Sequence, residues 1–222
     1  MAAGDPGRAP GSSRPAFDPR HALAWLAVFG LAFGYVEAAV VVYLRALRYP
    51  QGFAFPIIDM EPRLAAIEVA RETATLVMLW AVASLAAPRG WRRFGAFAVA
   101  FGFWDLAYYL GLRAAIGWPE SLQTWDVLFL IPGIWTGPVW SAAAVAALLV
   151  LCGARILLRA GEPPRPRAPH WAGAVAALAL LLAAFLWNHT VAWRGGVPES
   201  FPAWLWAAGV ALGVVTFAHL FR

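Results

Sequence analysis

The chain has 222 residues, of which 62% are hydrophobic and 13% are charged, with a formal net charge of +5. Soluble globular domains are about 45–50% apolar and about 25% charged, so this composition excludes a soluble fold. All 17 basic residues are arginine, which excludes Schiff-base chemistry on lysine and therefore a retinal pigment. The arginines are not gathered into one basic face, so no nucleic acid is expected as a partner.

Residues 1–20 are mostly Gly, Pro, Ala, Ser and Arg without periodicity, which predicts a disordered cytoplasmic N-terminal tail. The apolar run that follows is longer than the roughly 7–15 residues of a signal-peptide core and lacks a clear small-residue cleavage site. We therefore expect no cleaved signal peptide. Residues 21–222 are predicted to form a single transmembrane helical domain.

The fold class predicted is all-α, a polytopic integral membrane bundle of about six helices. Each span meets the requirement of roughly 20 mostly apolar residues for a helix that crosses a bilayer. The predicted spans are Ala22–Leu44, Ile67–Ala87, Phe94–Ile116, Val139–Leu158, Trp171–Ala192 and Ala203–Phe221. The lipid bilayer is therefore the first expected partner.

The arginines predict the orientation of the bundle. Eleven of them lie on the side of the two chain termini, five lie on the opposite side, and Arg71 lies inside a span. Cytoplasmic loops carry an excess of basic residues, so both termini are predicted to be cytoplasmic. The Ala-rich, lysine-free composition is typical of a GC-rich bacterial genome, and the predicted location is the cell (inner) membrane.

The approach to the fourth span is interrupted by glycine and proline. An apolar stretch, Val127 to Ile131, is followed by Pro132-Gly133 and Gly137-Pro138. Two such breaks argue against one straight helix. Residues 118–138 are expected to form a half-buried or re-entrant element, or else an interfacial loop followed by a proline-kinked helix.

A short motif follows two of the odd-numbered spans. Residues 117–122 read Gly-Trp-Pro-Glu-Ser-Leu, and residues 196–201 read Gly-Val-Pro-Glu-Ser-Phe. A duplication into three tandem helical hairpins is one explanation. The other is convergence, because proline and glutamate are common at the start of a helix.

Nearly every ionisable residue within a span falls in its outer half. Ionisable side chains inside membrane spans usually face the bundle interior and indicate function. We therefore predict that side chains from five segments converge on one buried site. The predicted binding residues are Glu37, Glu68, Arg71, Glu72, Asp105, Tyr108, Asp126 and His189.

The acids of this set outnumber its bases. Five bare carboxylates cannot share a space of low dielectric unless some are protonated or a cation joins them. We expect either raised carboxyl pKa values or a bound cation, a divalent metal being one choice. The candidate metal ligands are Glu37, Glu68, Glu72 and Asp105. In the alternative, Arg71 neutralises its two neighbouring glutamates locally, and the two aspartates reach the interface.

Small residues predict where the helices pack. Gly30 and Gly34 form a GxxxG face on the first span, and Glu37 continues that face towards the outside. Gly209 and Gly213 give the last span a similar face. On the second span Thr75 continues the stripe of Glu68 and Glu72.

Two classes of function fit this pattern. The first is binding or transport of a cation or a small polar solute, and six short spans could complete a transport route as a homo-oligomer. The second is a membrane-embedded enzyme acting on a lipid-linked substrate at the outer leaflet, with Glu72, Asp105 and Tyr109 as catalytic candidates. A non-catalytic membrane subunit is the third alternative. No signature of haem, flavin, nucleotide or retinal binding occurs.

Overall fold

The computed structural model describes residues 17–49, 51, 53, 61–160 and 164–222. Within these residues the chain forms seven α-helices and one two-stranded sheet. The elements are α1 Pro19–Arg48, α2 Pro62–Ala86, α3 Trp91–Ile116, β1 Trp125–Phe129, β2 Trp135–Pro138, α4 Val139–Leu158, α5 Ala168–Phe185, α6 His189–Trp193 and α7 Ala203–Leu220.

The predicted all-α membrane fold is confirmed, because six of the helices are long and apolar enough to cross a membrane. The fourth span, Val139–Leu158, has the predicted bounds. The fifth span ends earlier than predicted: α5 ends at Phe185, and the separate one-turn helix α6 follows. The predicted N-terminal tail falls largely on residues 1–16, which lie outside the described residues. The helix α1 begins at Pro19, with the Asp18 carboxylate accepting a hydrogen bond from Arg20 N at 2.9 Å.

The irregular approach to α4 is a β-hairpin. Strands β1 and β2 pair antiparallel, with Asp126 opposite Gly137 and Val127 opposite Thr136. The first break, Pro132-Gly133, lies in the connection between the strands, and Pro138 ends β2 directly before α4. The segment is partly buried within the protein, and its backbone is extended. Whether it is re-entrant or interfacial stays a prediction. No kink is needed in α4, because the proline precedes the helix instead of interrupting it.

Close helix packing brings α1, α3 and α4 together. A Cβ added to Gly34 would lie 2.6 Å from Ala107 Cβ, and one added to Gly153 would lie 2.6 Å from Gly95 O. Side chains at these glycines would therefore force the helices apart, as the GxxxG pattern on the first span predicted for α1. In the last span only Gly209 makes such a close approach, whereas Gly213 has ordinary spacing to α5.

The helices do not all pack with their neighbours in sequence. The pairs α3–α4 and α5–α7 pack closely, but α1 packs mainly against α3 and only marginally against α2. The outer surface of α2 carries exposed apolar side chains, including Val77 and Leu85. The three tandem hairpins therefore stay a prediction. The loose α1–α2 pairing leaves room for a cavity between these two helices.

The buried interior differs between the two ends of the bundle. We call the end that holds the β-hairpin, the end of α1 and the start of α2 the hairpin end. Towards the opposite end a cluster of buried apolar side chains forms the core, among them Leu26, Leu79, Val99 and Leu157.

Candidate functional site

A cavity of about 690 Å³ lies at the hairpin end, between α1, α2, α3, the β-hairpin and α6. Seven of the eight predicted binding residues line it, and so does the catalytic candidate Tyr109. The seven are Glu37, Glu68, Arg71, Glu72, Asp105, Tyr108 and Asp126. Side chains from separate helices therefore face a common space.

Arg71 joins two acids of the cavity wall. Its Nη1 donates to Glu37 Oε1 across the gap between α2 and α1. Its Nε and Nη2 both lie 2.9 Å from Glu68 Oε2, one turn back along α2. The Thr75 hydroxyl donates to the second oxygen of Glu37 at 3.4 Å. The local neutralisation of Glu68 by Arg71 is thus present, but Arg71 pairs with Glu37 rather than with Glu72.

Glu72 contacts the hairpin instead of a base. Its side chain is 8% exposed, and its Oε2 accepts a hydrogen bond from Leu130 N at 2.9 Å. This bond ties α2 to the turn of the hairpin. Among the described residues, no arginine or histidine forms an ion pair with Glu72.

Asp126 belongs to a second ion pair at the rim of the cavity. Arg45 Nη2 lies 3.3 Å from Asp126 Oδ1, and the Tyr109 hydroxyl donates to Asp126 Oδ2 at 3.4 Å. Burial raises the pKa of the Asp126 carboxyl to about 6, although the Arg45 guanidinium opposes that shift. The raised carboxyl pKa expected from the sequence is therefore found at Asp126. The alternative interpretation, in which this residue reaches the interface, does not fit its side chain, which is 2% exposed.

Asp105 and Tyr108 complete the wall formed by α3. Both side chains line the cavity. In the described part of the chain neither makes a hydrogen bond or an ion pair through its side chain. Asp105 and Glu72 are therefore the two cavity carboxylates without a basic partner.

His189 lies behind the wall. Its Nδ1 accepts a hydrogen bond from Ile134 N at 3.0 Å, so it positions the hairpin turn and does not line the cavity. Glu72 and His189 thus hold the two sides of that turn. Of the eight predicted binding residues, His189 is the one that the structure places outside the cavity lining.

Three contributors to the site were not singled out as binding residues from the sequence. Arg45 supplies the second ion pair, Trp118 stacks on its guanidinium at 3.7 Å, and Leu130 supplies a backbone N–H. The signal for Arg45 was its place eight residues after Glu37, on the same face of α1. No sequence signal identifies a backbone donor such as Leu130 N.

The geometry does not favour a bare metal ion. Within the described residues no three side chains of His, Cys, Asp or Glu converge closely enough to hold a metal. The four candidate ligands, Glu37, Glu68, Glu72 and Asp105, all line the cavity, but Glu37 and Glu68 are already paired with Arg71. Hard divalent cations need about six oxygen ligands, several of them from protein.

The cavity ends near the middle of the helices. Its innermost lining residues include Thr75 and Trp104. One turn beyond them lie Leu79 and Ala100, which are fully buried in the apolar core. The floor of the cavity is therefore closed by packed hydrocarbon, and the polar space does not extend to the other end of the bundle.

No protein-family model, curated protein or solved structure matches the chain. Its class therefore rests on the fold alone: it is a multi-pass helical protein with six membrane-capable helices. Its function has to be inferred from the cavity.

Proposed function

We propose that the protein binds an organic cation in the cavity at the hairpin end. The observation that carries this proposal is the pair of cavity acids, Glu72 and Asp105, that lack a basic partner among the described residues. A carboxylate removed from water is costly unless it is protonated or a positive charge compensates it. An entering cation supplies that charge, whereas an entering anion meets two uncompensated acids.

The size and walls of the cavity favour an organic cation over an inorganic one. A volume of about 690 Å³ is within the range of small-molecule pockets, roughly 300–1,000 Å³. Aromatic side chains line it at Trp104, Tyr108 and Phe129, and aromatic faces attract ammonium groups. Aliphatic side chains such as Val41 and Leu44 add apolar surface. This combination suits an ammonium compound with an apolar body.

The cation enters from the extracytoplasmic side in this proposal. The excess of arginines on the side of the termini supports a cytoplasmic location for both termini, in the bacterial inner membrane. The end of α1 and the start of α2 then face the outside. Transport to the other side would require the packed floor around Leu79 and Ala100 to open.

Calorimetric titration with octyltrimethylammonium tests the binding. The protein is held in lipid nanodiscs, and empty nanodiscs correct for partitioning of the probe into lipid. We expect Glu72→Gln and Asp105→Asn each to weaken binding about tenfold, which is the value of a modest charged interaction. The glutamine in Glu72→Gln keeps an oxygen for the Leu130 N–H, so the hairpin contact survives.

Matched controls are available at the same end of the bundle. Glu120 and Glu199 are exposed and lie outside the cavity lining, so Glu120→Gln and Glu199→Gln remove the same charge elsewhere. Both are expected to bind like the wild type. Equal affinity for all five proteins would contradict the proposal.

A membrane-embedded enzyme acting on a lipid-linked substrate is the second candidate. The closed floor favours it over a carrier, because a chamber open at one end is sufficient for catalysis. Glu72 or Asp105 would act as general base, and the unpaired Tyr108 hydroxyl would donate a hydrogen bond. Tyr109 is less suited, since its hydroxyl already donates to Asp126. Turnover of reconstituted lipids, measured by mass spectrometry and lost in Asp105→Asn but not in Glu120→Gln, would favour this candidate over simple binding.

A further inference from the structure

A buried guanidinium at the rim of the cavity has one donor without an acceptor. The Arg45 side chain lines the cavity and is 9% exposed. Its Nη2 pairs with Asp126 Oδ1 at 3.3 Å. Its Nη1 is buried and has no hydrogen-bond partner within the described part of the chain. The great majority of buried donors in proteins are hydrogen-bonded, so a ligand oxygen is a natural acceptor for this one.

The faces of the same guanidinium are already covered. The Trp118 ring lies 3.7 Å from Arg45 Cζ, and the Phe53 ring lies 4.4 Å from it. A new acceptor therefore has to approach in the plane of the guanidinium, where its N–H groups point. One edge of that plane is taken by Asp126. Nη1 is enclosed by the protein, so a ligand oxygen reaches it after a small movement of the Arg45 side chain, which lines the cavity.

The charges of the wall are separated along the cavity. Arg45 lies two helical turns beyond Glu37 on α1, a distance of about 12 Å along the helix axis. Glu72 follows Arg71, which bonds to Glu37, and Asp105 follows Trp104, which packs against Gly34. These two acids without basic partners therefore lie near the level of Glu37, deeper than Arg45. A ligand that satisfies both ends needs a positive group for the acids and an oxygen acceptor for Arg45.

We propose that the ligand is zwitterionic: an ammonium group sits at the acidic side of the cavity, and a phosphate or carboxylate oxygen accepts a hydrogen bond from Arg45 Nη1. This inference rests on the proposed function and adds a second recognition element to it. The same chemistry occurs in the headgroup of a zwitterionic lipid and in a free zwitterionic solute. The two sources differ in whether an acyl chain contributes to binding.

Three probes separate these contributions in calorimetric titrations of the nanodisc-embedded protein. Choline carries the ammonium alone, phosphocholine adds the phosphate, and octylphosphocholine adds an alkyl chain. We expect phosphocholine to bind the wild type about 10- to 100-fold more tightly than choline, the range for a charged hydrogen bond. A further gain with octylphosphocholine indicates a lipid headgroup, and no gain indicates a soluble solute.

Two variants separate the loss of the Arg45 guanidinium from the loss of its ion pair with Asp126. Removal of Arg45 alone would strand the buried Asp126 carboxylate, so Asp126→Asn is compared with Arg45→Met/Asp126→Asn. We expect Asp126→Asn to keep the preference for phosphocholine over choline. The double variant is expected to lose that preference, so that it binds phosphocholine no more tightly than choline. Arg194→Met, at an exposed arginine outside the cavity lining, is the control.

Two failures are distinguishable. The proposal of a zwitterionic ligand is wrong if phosphocholine binds no more tightly than choline, or if the double variant keeps the preference for phosphocholine. The cation site still stands in that case, provided that choline binds and that its binding depends on Glu72. If no ammonium probe binds and Glu72→Gln changes nothing, the proposed cation site is wrong. The proposal of a zwitterionic ligand is then wrong as well, because it rests on that site.

Discussion

Arg71 on α2 pairs across the cavity wall with Glu37 on α1, and with Glu68 on its own helix at 2.9 Å. The two helices pack only marginally against each other through other residues. This ion pair therefore contributes much of the polar connection between them. It also neutralises two of the five cavity acids. Arg45 pairs with a third, Asp126, so that Glu72 and Asp105 are the two without a basic partner among the described residues.

Replacement of Arg71 by methionine is expected to destabilise the protein by about 2–3 kcal/mol. Removal of one partner from a fully buried pair costs about 3–5 kcal/mol, and the 25% exposure of the Arg71 side chain reduces that cost. The change is measured as a shift in thermal unfolding. In a double-mutant cycle, Glu37→Gln/Arg71→Met should recover part of the loss, because the stranded carboxylate is removed. Arg63→Met, at an exposed position near the start of α2, is the control.

Gly34 and Gly213 should respond differently to the same substitution. A Cβ at Gly34 would collide with the Trp104 carbonyl oxygen on α3, whereas one at Gly213 would meet Ala177 Cβ at 3.6 Å. We expect Gly34→Ala to lower stability by about 1–3 kcal/mol, the range for overpacking. Gly213→Ala should leave the melting temperature unchanged or slightly raised. Similar losses in both variants would show that α1 and α3 are not in the close contact described.

The Asp126 carboxyl should make stability depend on pH. Its folded pKa of about 6 lies above the usual value of 3.8, so the folded protein holds this proton more tightly than the unfolded chain. The contribution of Asp126 to the free energy of unfolding therefore falls as the pH rises from about 4 to about 6. Asp126→Asn removes this dependence. Over that interval the melting temperature of the wild type should therefore fall relative to that of Asp126→Asn. A difference that stays constant with pH would be inconsistent with the raised pKa.

The membrane fold and most of the cavity could be predicted because both follow from local patterns. Long apolar runs specify spans whatever their partners are. The helical spacing of Glu68, Glu72 and Thr75 placed these side chains on one face of α2, and they all line the cavity. The prediction that Glu37 faces another helix followed from Gly30 and Gly34, which lie close to α3.

The pairing within the site could not be predicted, because it depends on tertiary contacts. The helical spacing predicts that Arg71 can reach Glu68, one turn away on α2. It does not specify that Arg71 also bonds to Glu37 on α1, or that Glu72 accepts from the Leu130 N–H. The β-hairpin could not be predicted for a related reason. Strand pairing between Val127 and Thr136 is a non-local relationship that apolar composition and Pro-Gly breaks do not specify.

The central claim is that an organic cation binds inside the cavity, next to Glu72 and Asp105. A crystal of the protein with a trimethylalkylarsonium ion, recorded at the arsenic absorption edge, tests this claim most directly, because arsenic scatters anomalously and reports its own position. We predict an arsenic peak within the cavity on the side of these two carboxylates, and loss of that peak in Glu72→Gln/Asp105→Asn. A peak confined to the lipid-facing surface, or an unchanged cavity peak in the double variant, would contradict the account.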